Sequence, residues 1–181
     1  PKKELIPGEK IEMGSSVKVY VTKIDDTGKA PLILLSRSHY GFIKRLLELE
    51  VPELQEGIVK LYSVARDAGS RSKVAVYSDN PRVDAIGACI GEKSSRILDI
   101  VLYDKDPVKF IKNALSPAKE VNVIIMDPKN NVALAVAEGD QLSLAIGKKG
   151  QNVRLAARLT KYRIDVKTNE ELKESGINIS F

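Results

Sequence analysis

The second half of this 181-residue chain repeats the pattern of the first half. A shift of 56 positions superimposes the following pairs: Asp84 on Asp140, Ile90 on Ile146, Gly91 on Gly147, Lys93 on Lys149, Ser94 on Gly150 and Ile97 on Val153. An internal repeat of this length means that one supersecondary unit is built twice along the chain. The fold must therefore accommodate two copies of the same small domain, each with its own sheet and helices.

Hydrophobic periodicity predicts the order α-β-β-α-α-β in each copy. In the second copy we predict helices over 107–115, 141–146 and 151–159, with strands over 121–126, 132–136 and 162–166. In the first copy we predict a helix capped by Ser38, a helix over 84–90, and strands over 58–65, 73–77 and 98–103. The resulting fold class is α+β, with helices packed on one face of each sheet.

The first copy is shorter than the second after its loop. Four positions separate Ser94 from Leu98, whereas fourteen separate Gly150 from Ile164. Either the first copy is degenerate, or the sequence has been closed up over a missing segment between Ile97 and Leu98. We favour the missing segment, because losing the second helix would leave part of the sheet uncovered.

Residues 1–37 carry a different pattern. Val17, Val19 and Val21 alternate with polar residues, which predicts a half-buried strand, and Asp25 to Gly28 supply a turn before an apolar strand over 32–35. Two strands alone are marginal in water. We therefore expect this hairpin to be part of a larger sheet.

The segment Gly147-Lys148-Lys149-Gly150 joins two predicted helices and carries the most informative chemistry. Two glycines permit a tight turn that approaches a ligand closely, and the following helix directs its N–H groups and positive dipole end at the same place. The ligand that fits is a phosphate. On the following helix, Arg154, Arg158 and Lys161 form one stripe, opposite core-facing Leu155 and Leu159.

A basic helix face is often only a solvated surface. The repeat favours a nucleic-acid-binding role over a merely solvated surface. A G-x-x-G turn between two helices beside a three-stranded sheet is the K-homology (KH) arrangement, which clamps about four nucleotides of single-stranded nucleic acid. The first copy has a less cationic loop. We predict RNA contacts at these positions: Gly91, Glu92, Lys93, Ser94, Ser95, Arg96, Gly147, Lys148, Lys149, Gly150, Gln151, Asn152, Arg154 and Arg158. Neither loop contains an aromatic residue, so we do not expect bases to stack on an aromatic platform.

The runs 83–91 and 142–156 resemble the tandem KH domains of the NusA family of bacterial transcription factors, and Ser36-Arg37-Ser38-His39 resembles that family's junction between S1 and KH domains. The resemblance implies a partial S1, OB-like β module over 1–37, type II KH domains over 38–105 and 106–168, and a C-terminal tail over 169–181. It implies the RNA-binding region of an elongation factor that binds nascent single-stranded RNA, contacts RNA polymerase and other elongation and antitermination factors, and modulates pausing, termination and antitermination. A ribosome-associated KH protein is the alternative.

The family's polymerase-binding N-terminal domain has no counterpart, and the chain begins at Pro1, so we expect a fragment. With one cysteine, Cys89, and one histidine, His39, neither a disulfide nor a zinc site can form, and we predict no metal or other cofactor. A phosphate-recognising enzyme would need a clustered acid, base or metal set, and we find none. A protein-interaction module centred on Glu48 to Glu56 is a further alternative. No apolar run is long enough to span a membrane, so we expect a cytoplasmic protein. We also expect it to be a monomer.

Overall fold

The structure is a computed structural model that describes residues 1–90 and 98–177. Its strands are β1 (Tyr20–Asp25), β2 (Leu32–Ser36), β3 (Lys60–Asp67), β4 (Arg71–Tyr77), β5 (Leu98–Leu102), β6 (Asn122–Asp127), β7 (Val132–Val136) and β8 (Arg163–Lys167). Its α-helices are α1 (Tyr40–Glu50), α2 (Pro52–Gln55), α3 (Ala85–Ile90), α4 (Pro107–Ala114), α5 (Gly139–Ile146), α6 (Gln151–Thr160) and α7 (Asn169–Glu174), with short 3-10 helices at Lys2–Glu4 and Lys148–Gly150. The predicted α+β class is confirmed.

Two three-stranded sheets share one topology. Strand β4 lies between antiparallel β3 and parallel β5, and β7 lies between antiparallel β6 and parallel β8. The helix–strand order of the second copy is the one predicted from the sequence. In the first copy α1 and α3 are in their predicted places, and the junction where we expect a missing segment falls in residues 91–97, outside the described residues.

The first domain packs its helices on one face of its sheet. Val74 and Val76 of β4 are completely buried, and they lie in one cluster with Leu47 of α1 and with Ala85 and Cys89 of α3. Burial also raises the pKa of the Cys89 thiol to about 11. Cys89 is thus a buried thiol of low reactivity.

The opposite face of the first sheet packs on the second domain. Ala65, Ala75 and Val101 belong to the same buried cluster as Ile111 of α4 and Leu155 of α6. All of β4 from Ser72 to Val76 is therefore buried, as in a strand covered on both faces. The two domains share one hydrophobic core, so we expect them to behave as one body.

A buried cation lies in the interface between the domains. The Lys73 side chain on β4 has no exposed surface, and its Nζ donates to Asp99 Oδ2 at 3.1 Å and to the Ser116 carbonyl at 2.7 Å. Arg71 shares the Asp99 carboxylate, with Nη2 at 2.7 Å from Oδ2. Burial, partly offset by Asp99, lowers the pKa of Lys73 from 10.5 to about 8.

The N-terminal hairpin forms as predicted, but its strand is not half-buried. Pairing begins at Tyr20, and side chains on both faces are exposed, among them Val21 at 47% and Ile33 at 51%. The prediction fails because, within the described residues, no second layer covers either face. The hairpin is joined to the first domain by Arg37, which forms an ion pair with Glu9 and lies with Arg66 against the Phe42 ring.

His39, not Ser38, caps the first helix. The His39 Nδ1 accepts a hydrogen bond from the Gly41 N–H at 3.0 Å, and its ring stacks on Tyr20 with centroids 5.1 Å apart. The Ser38 hydroxyl instead donates to the Lys3 carbonyl at 3.1 Å. The cap was misplaced by one residue because serine is the commoner N-cap, whereas here the tertiary contact with Tyr20 orients the histidine ring.

The first residues of the predicted C-terminal tail, 169–174, form helix α7. Thr168 and Glu171 form a capping box, and Leu172 packs on Leu134 and Val136 of β7. This is the face of the second sheet that points away from α5 and α6.

The buried lysine predicts an unusual pH dependence. Because the folded-state pKa of Lys73 is about 8 and its ordinary value is 10.5, the unfolded chain holds this proton more tightly than the folded chain between these values. The free energy of unfolding should therefore rise between about pH 8 and 10.5 in the wild type relative to Lys73→Met. Urea unfolding of both proteins across this range tests the difference, and parallel pH profiles would contradict it.

Candidate nucleic-acid interface

The loop after α5 depends on a glycine at its first position. Gly147 has φ 73° and ψ 173°, and a Cβ added there would lie 2.6 Å from Asn152 Cβ and 2.9 Å from its backbone nitrogen. The Gly147 N–H closes α5 by donating to the Ser143 carbonyl at 2.9 Å. Both the backbone conformation and the close approach of α6 therefore require glycine here.

The second half of the loop is open. Lys149 (φ 53°) and Gly150 (φ 71°) both have left-handed backbone conformations, and no atom lies within 4 Å of a Cβ placed on Gly150. A left-handed conformation costs a non-glycine residue about 1–2 kcal/mol. The loop thus stores a small strain at Lys149, and the space beside Gly150 is free for a ligand.

The Asn152 side chain holds the loop in place from the interior of the second domain. It is completely buried, and its Nδ2 lies 3.0–3.1 Å from the carbonyl oxygens of Leu115, Leu144 and Ala145. These contacts join the first turn of α6 to the ends of α4 and α5. We predict an RNA contact at Asn152, but its side chain has no exposed surface in this structure and instead holds the loop. A contact through the Asn152 backbone stays a prediction.

The loop lysines lie at an anion-binding position. Lys148 and Lys149 are exposed, and neither forms an ion pair within the part of the chain that the structure describes. Helix α6 begins directly after them, and no side chain caps its N-terminus. The N–H groups of its first turn and the helix dipole therefore add to the two ammonium charges.

The two arginines of α6 have a protein partner. Asp67, at the end of β3, lies 2.9 Å from Arg158 Nη1 and 3.4 Å from Arg154 Nη2, and its carboxylate also accepts from Gln151 Nε2 at 3.2 Å. Burial raises the pKa of the Asp67 carboxyl, but these three hydrogen bonds outweigh burial and hold the pKa below its usual value. Gln151 Nε2 is also 2.8 Å from Ser70 Oγ. Gln151, Arg154 and Arg158 therefore connect the two domains, which sequence spacing could not reveal because Asp67 is more than 80 residues away.

The first domain's predicted loop contacts lie outside the described residues. They are Gly91, Glu92, Lys93, Ser94, Ser95 and Arg96. Their participation stays a prediction.

An aromatic cluster that the sequence did not reveal lies at the domain junction. The Tyr62 and Tyr103 rings stack with centroids 3.7 Å apart, and Phe110 meets both edge-on. Tyr62 is still 47% exposed. We excluded stacking platforms because the loops lack aromatic residues, and this exclusion does not extend to residues that come together only in the folded chain.

Over residues 1–90 and 98–177, no group of three or more His, Cys, Asp or Glu side chains is placed to hold a metal ion. In the same residues, no helix has the length and apolar character of a membrane span.

Comparison with known proteins agrees with the paired sheets and the loop. The model of the NusA-like first KH domain matches residues 37–113, and that of the NusA-like second KH domain matches residues 107–174. The chain belongs to the NusA family. The repeat found by offset is thus the tandem KH pair of this family, and residues 147–150 are the G-x-x-G loop of its second KH domain.

Curated relatives carry the name transcription termination/antitermination protein NusA. The protein of Thermus thermophilus is 50% identical over 91% of this chain and 45% of its own length, and that of Halalkalibacterium halodurans is 46% identical over 98% and 49%. The chain spans about half the length of the curated relatives it matches. The alignment with the Borreliella burgdorferi relative extends over 192 residues, more than the 181 present here, so that relative has residues without a counterpart in this sequence.

The two loop glycines should respond differently to substitution. Gly150→Ala should lower the free energy of unfolding by about 1–2 kcal/mol, the cost of a left-handed alanine. Gly147→Ala should cost at least twice as much, because its Cβ also collides with Asn152. Urea unfolding of the two variants decides this, and equal losses would contradict the geometry described for Gly147.

Proposed function

We propose that this chain is the RNA-binding region of a transcription termination/antitermination factor and that it binds single-stranded nascent RNA through its two KH domains. One observation carries the proposal: the cationic loop of Lys148 and Lys149, open beside Gly150 and placed at the uncapped N-terminus of α6. The names of the relatives support the place in transcription.

The second loop holds RNA by its phosphates. Exposed ammonium groups on a protruding backbone, together with the N–H groups of the first turn of α6, form a binding site for an anion without reading base identity. Arg154 and Arg158 add to the field, although Asp67 neutralises part of their charge. Gly150 lets the RNA backbone approach the loop closely, since no protein atom occupies the space beside this glycine.

The first domain extends the same binding surface. Its loop, with Lys93 beside Glu92, carries less positive charge than the second, so it adds length to the bound RNA more than phosphate affinity. With about four nucleotides per KH domain, about eight would span both. The core shared by the two sheets supports joint binding, because a rigid pair gives a high effective concentration for the second contact.

The remaining parts of the proposal concern the longer protein. RNA polymerase and other elongation and antitermination factors are its proposed partners, and it modulates pausing, termination and antitermination. We propose a cytoplasmic monomer, a partial S1 module in residues 1–37, and no catalytic activity for this region.

Removing the loop lysines should reduce the salt dependence of RNA binding. Each phosphate contact on a single strand contributes about 0.7 to the slope of log K against log salt, so Lys148→Ala with Lys149→Ala should lower that slope by about 1.4. Fluorescence anisotropy with a ten-nucleotide RNA at several salt concentrations measures it. Lys129→Ala with Lys173→Ala, which removes two exposed lysines elsewhere, is the matched control, and an unchanged slope in the loop variant would refute the phosphate contacts.

Affinity should also depend on RNA length. We expect affinity to rise steeply from four to about eight nucleotides and then to level off. Gly150→Asp, which places a carboxylate beside the second loop, should remove this rise while circular dichroism shows an unchanged fold. A four-nucleotide RNA that binds the wild type as tightly as a ten-nucleotide RNA would exclude joint use of the two domains.

A further inference from the structure

A cleft of about 320 Å³ lies between the two domains, and no residue of the second loop lines it. Its walls come from α1, from β3 and from the C-terminal end of α6. Strand β3 is the edge of the first sheet opposite to β5. Lys161, at the end of α6, is ten residues and so about 15 Å along the helix from Gln151, where the second loop ends. The cleft is therefore separate from the G-x-x-G site, and the Arg154–Arg158–Lys161 stripe connects the two.

The wall on β3 is a rigid aromatic surface. Tyr62 lines the cleft, and Tyr103 supports one face of its ring at 3.7 Å between centroids, with the planes only 13° apart. Phe110 abuts the same ring at 89°. Because these contacts fix the ring before a ligand arrives, stacking on Tyr62 costs little conformational entropy. Tyr40 adds a second exposed ring, at 54% exposure, on the α1 side.

The cleft is cationic. Lys44, Arg158 and Lys161 are among its lining residues, and no acidic residue of the described chain lines it. Arg158 is bound to Asp67 and Lys44 approaches Glu48 at 3.9 Å, whereas Lys161 has no ion pair in the described chain. The Lys44 and Arg158 side chains are about half exposed and Lys161 is exposed, so all three can meet an incoming anion.

We propose that this cleft binds one nucleotide of single-stranded RNA, with the base stacked on Tyr62 and the phosphate held by Lys161 and Lys44. The proposal rests on the proposed function for the identity of the macromolecule, and it adds a site outside the second KH loop. Aromatic surfaces bordered by cations are the arrangement by which proteins hold single-stranded nucleic acid without sequence preference.

An acidic peptide would use the same cations but would not need the stacked rings. A flat, buttressed tyrosine matches a base, and the cleft is at the lower end of the size range of small-ligand sites, about 300–1,000 Å³. These two features favour a nucleotide. The stripe on α6 gives RNA held at the second loop a continuous path to the cleft.

Substitution of Tyr62 tests the stacking. Tyr62→Ala should weaken binding of a ten-nucleotide RNA by about tenfold, the loss typical of one stacked base, whereas Tyr62→Phe should bind within about twofold of the wild type. Tyr77→Ala is the matched control, because Tyr77 also contacts the Tyr103 ring but does not line the cleft. Equal losses for Tyr62→Ala and Tyr77→Ala would overturn the proposal.

Photo-crosslinking of the unaltered protein keeps the test independent of folding. A ten-nucleotide RNA with 4-thiouridine at successive positions should give, at one position, a crosslinked peptide containing Tyr40 or Tyr62, mapped by mass spectrometry. Crosslinks confined to residues 145–152 would refute the cleft but leave the KH proposal intact. Full RNA binding by Lys148→Ala with Lys149→Ala, combined with weak RNA binding by Tyr62→Ala, would refute the contacts at the KH loop and support the cleft. If a hexaglutamate peptide bound in a Tyr62-dependent manner and RNA did not, the cleft would be a protein-docking site and this inference would be wrong.

Discussion

The burial of β4 on both faces is the constraint on which the rest of the structure depends. One face belongs to the core of its own domain through Val74 and Val76, and the other lies in the second domain's core through Ala75. A strand in this position needs small or β-branched apolar side chains at every site. Ser72 and Lys73 are the polar exceptions, and Asp99 with the Ser116 carbonyl satisfies Lys73. Because the first sheet packs directly on α4 and α6 of the second domain, the position of the second loop relative to the first sheet is set by packing and not by a linker.

The same interface controls the second loop. Asn152 connects the start of α6 to the ends of α4 and α5, and Asp67 holds the outer side of α6 through Gln151 and Arg158. The loop is thus carried on a helix that is fixed from inside its own domain and from the neighbouring one. Buried and half-buried polar contacts of this kind add specificity to an apolar interface, since each polar partner must find its place.

Most of the fold could be predicted from local patterns, because the period of the apolar residues changes at each boundary and because the repeat gives two readings of the same unit. The α-β-β-α-α-β order and the cationic loop of Lys148 and Lys149 followed in this way. What failed depends on contacts between distant residues. Asn152 is a polar residue of the kind usually found on the surface, yet it is buried. Asp67 meets α6 only after the two domains pack, and Tyr62 meets Tyr103 only after the first sheet has formed. The predicted half-burial of the hairpin strand was wrong for another reason. Alternating apolar residues give a buried face only where another layer of the protein covers it.

Helix α7 packs on the second sheet as α4 packs on the first sheet. Helix α4 places Phe110, four residues after its N-cap Asp106, in the core shared with the first sheet. Helix α7 places Leu172, four residues after its N-cap Thr168, against the second sheet. Each sheet is thus covered by the helix that follows its last strand, α4 on the first sheet and α7 on the second. An apolar sheet face that stays uncovered can associate with another molecule. Because Leu172 packs on Leu134 and Val136, helix α7 removes that face of the second sheet from solvent, as α4 does for the first sheet.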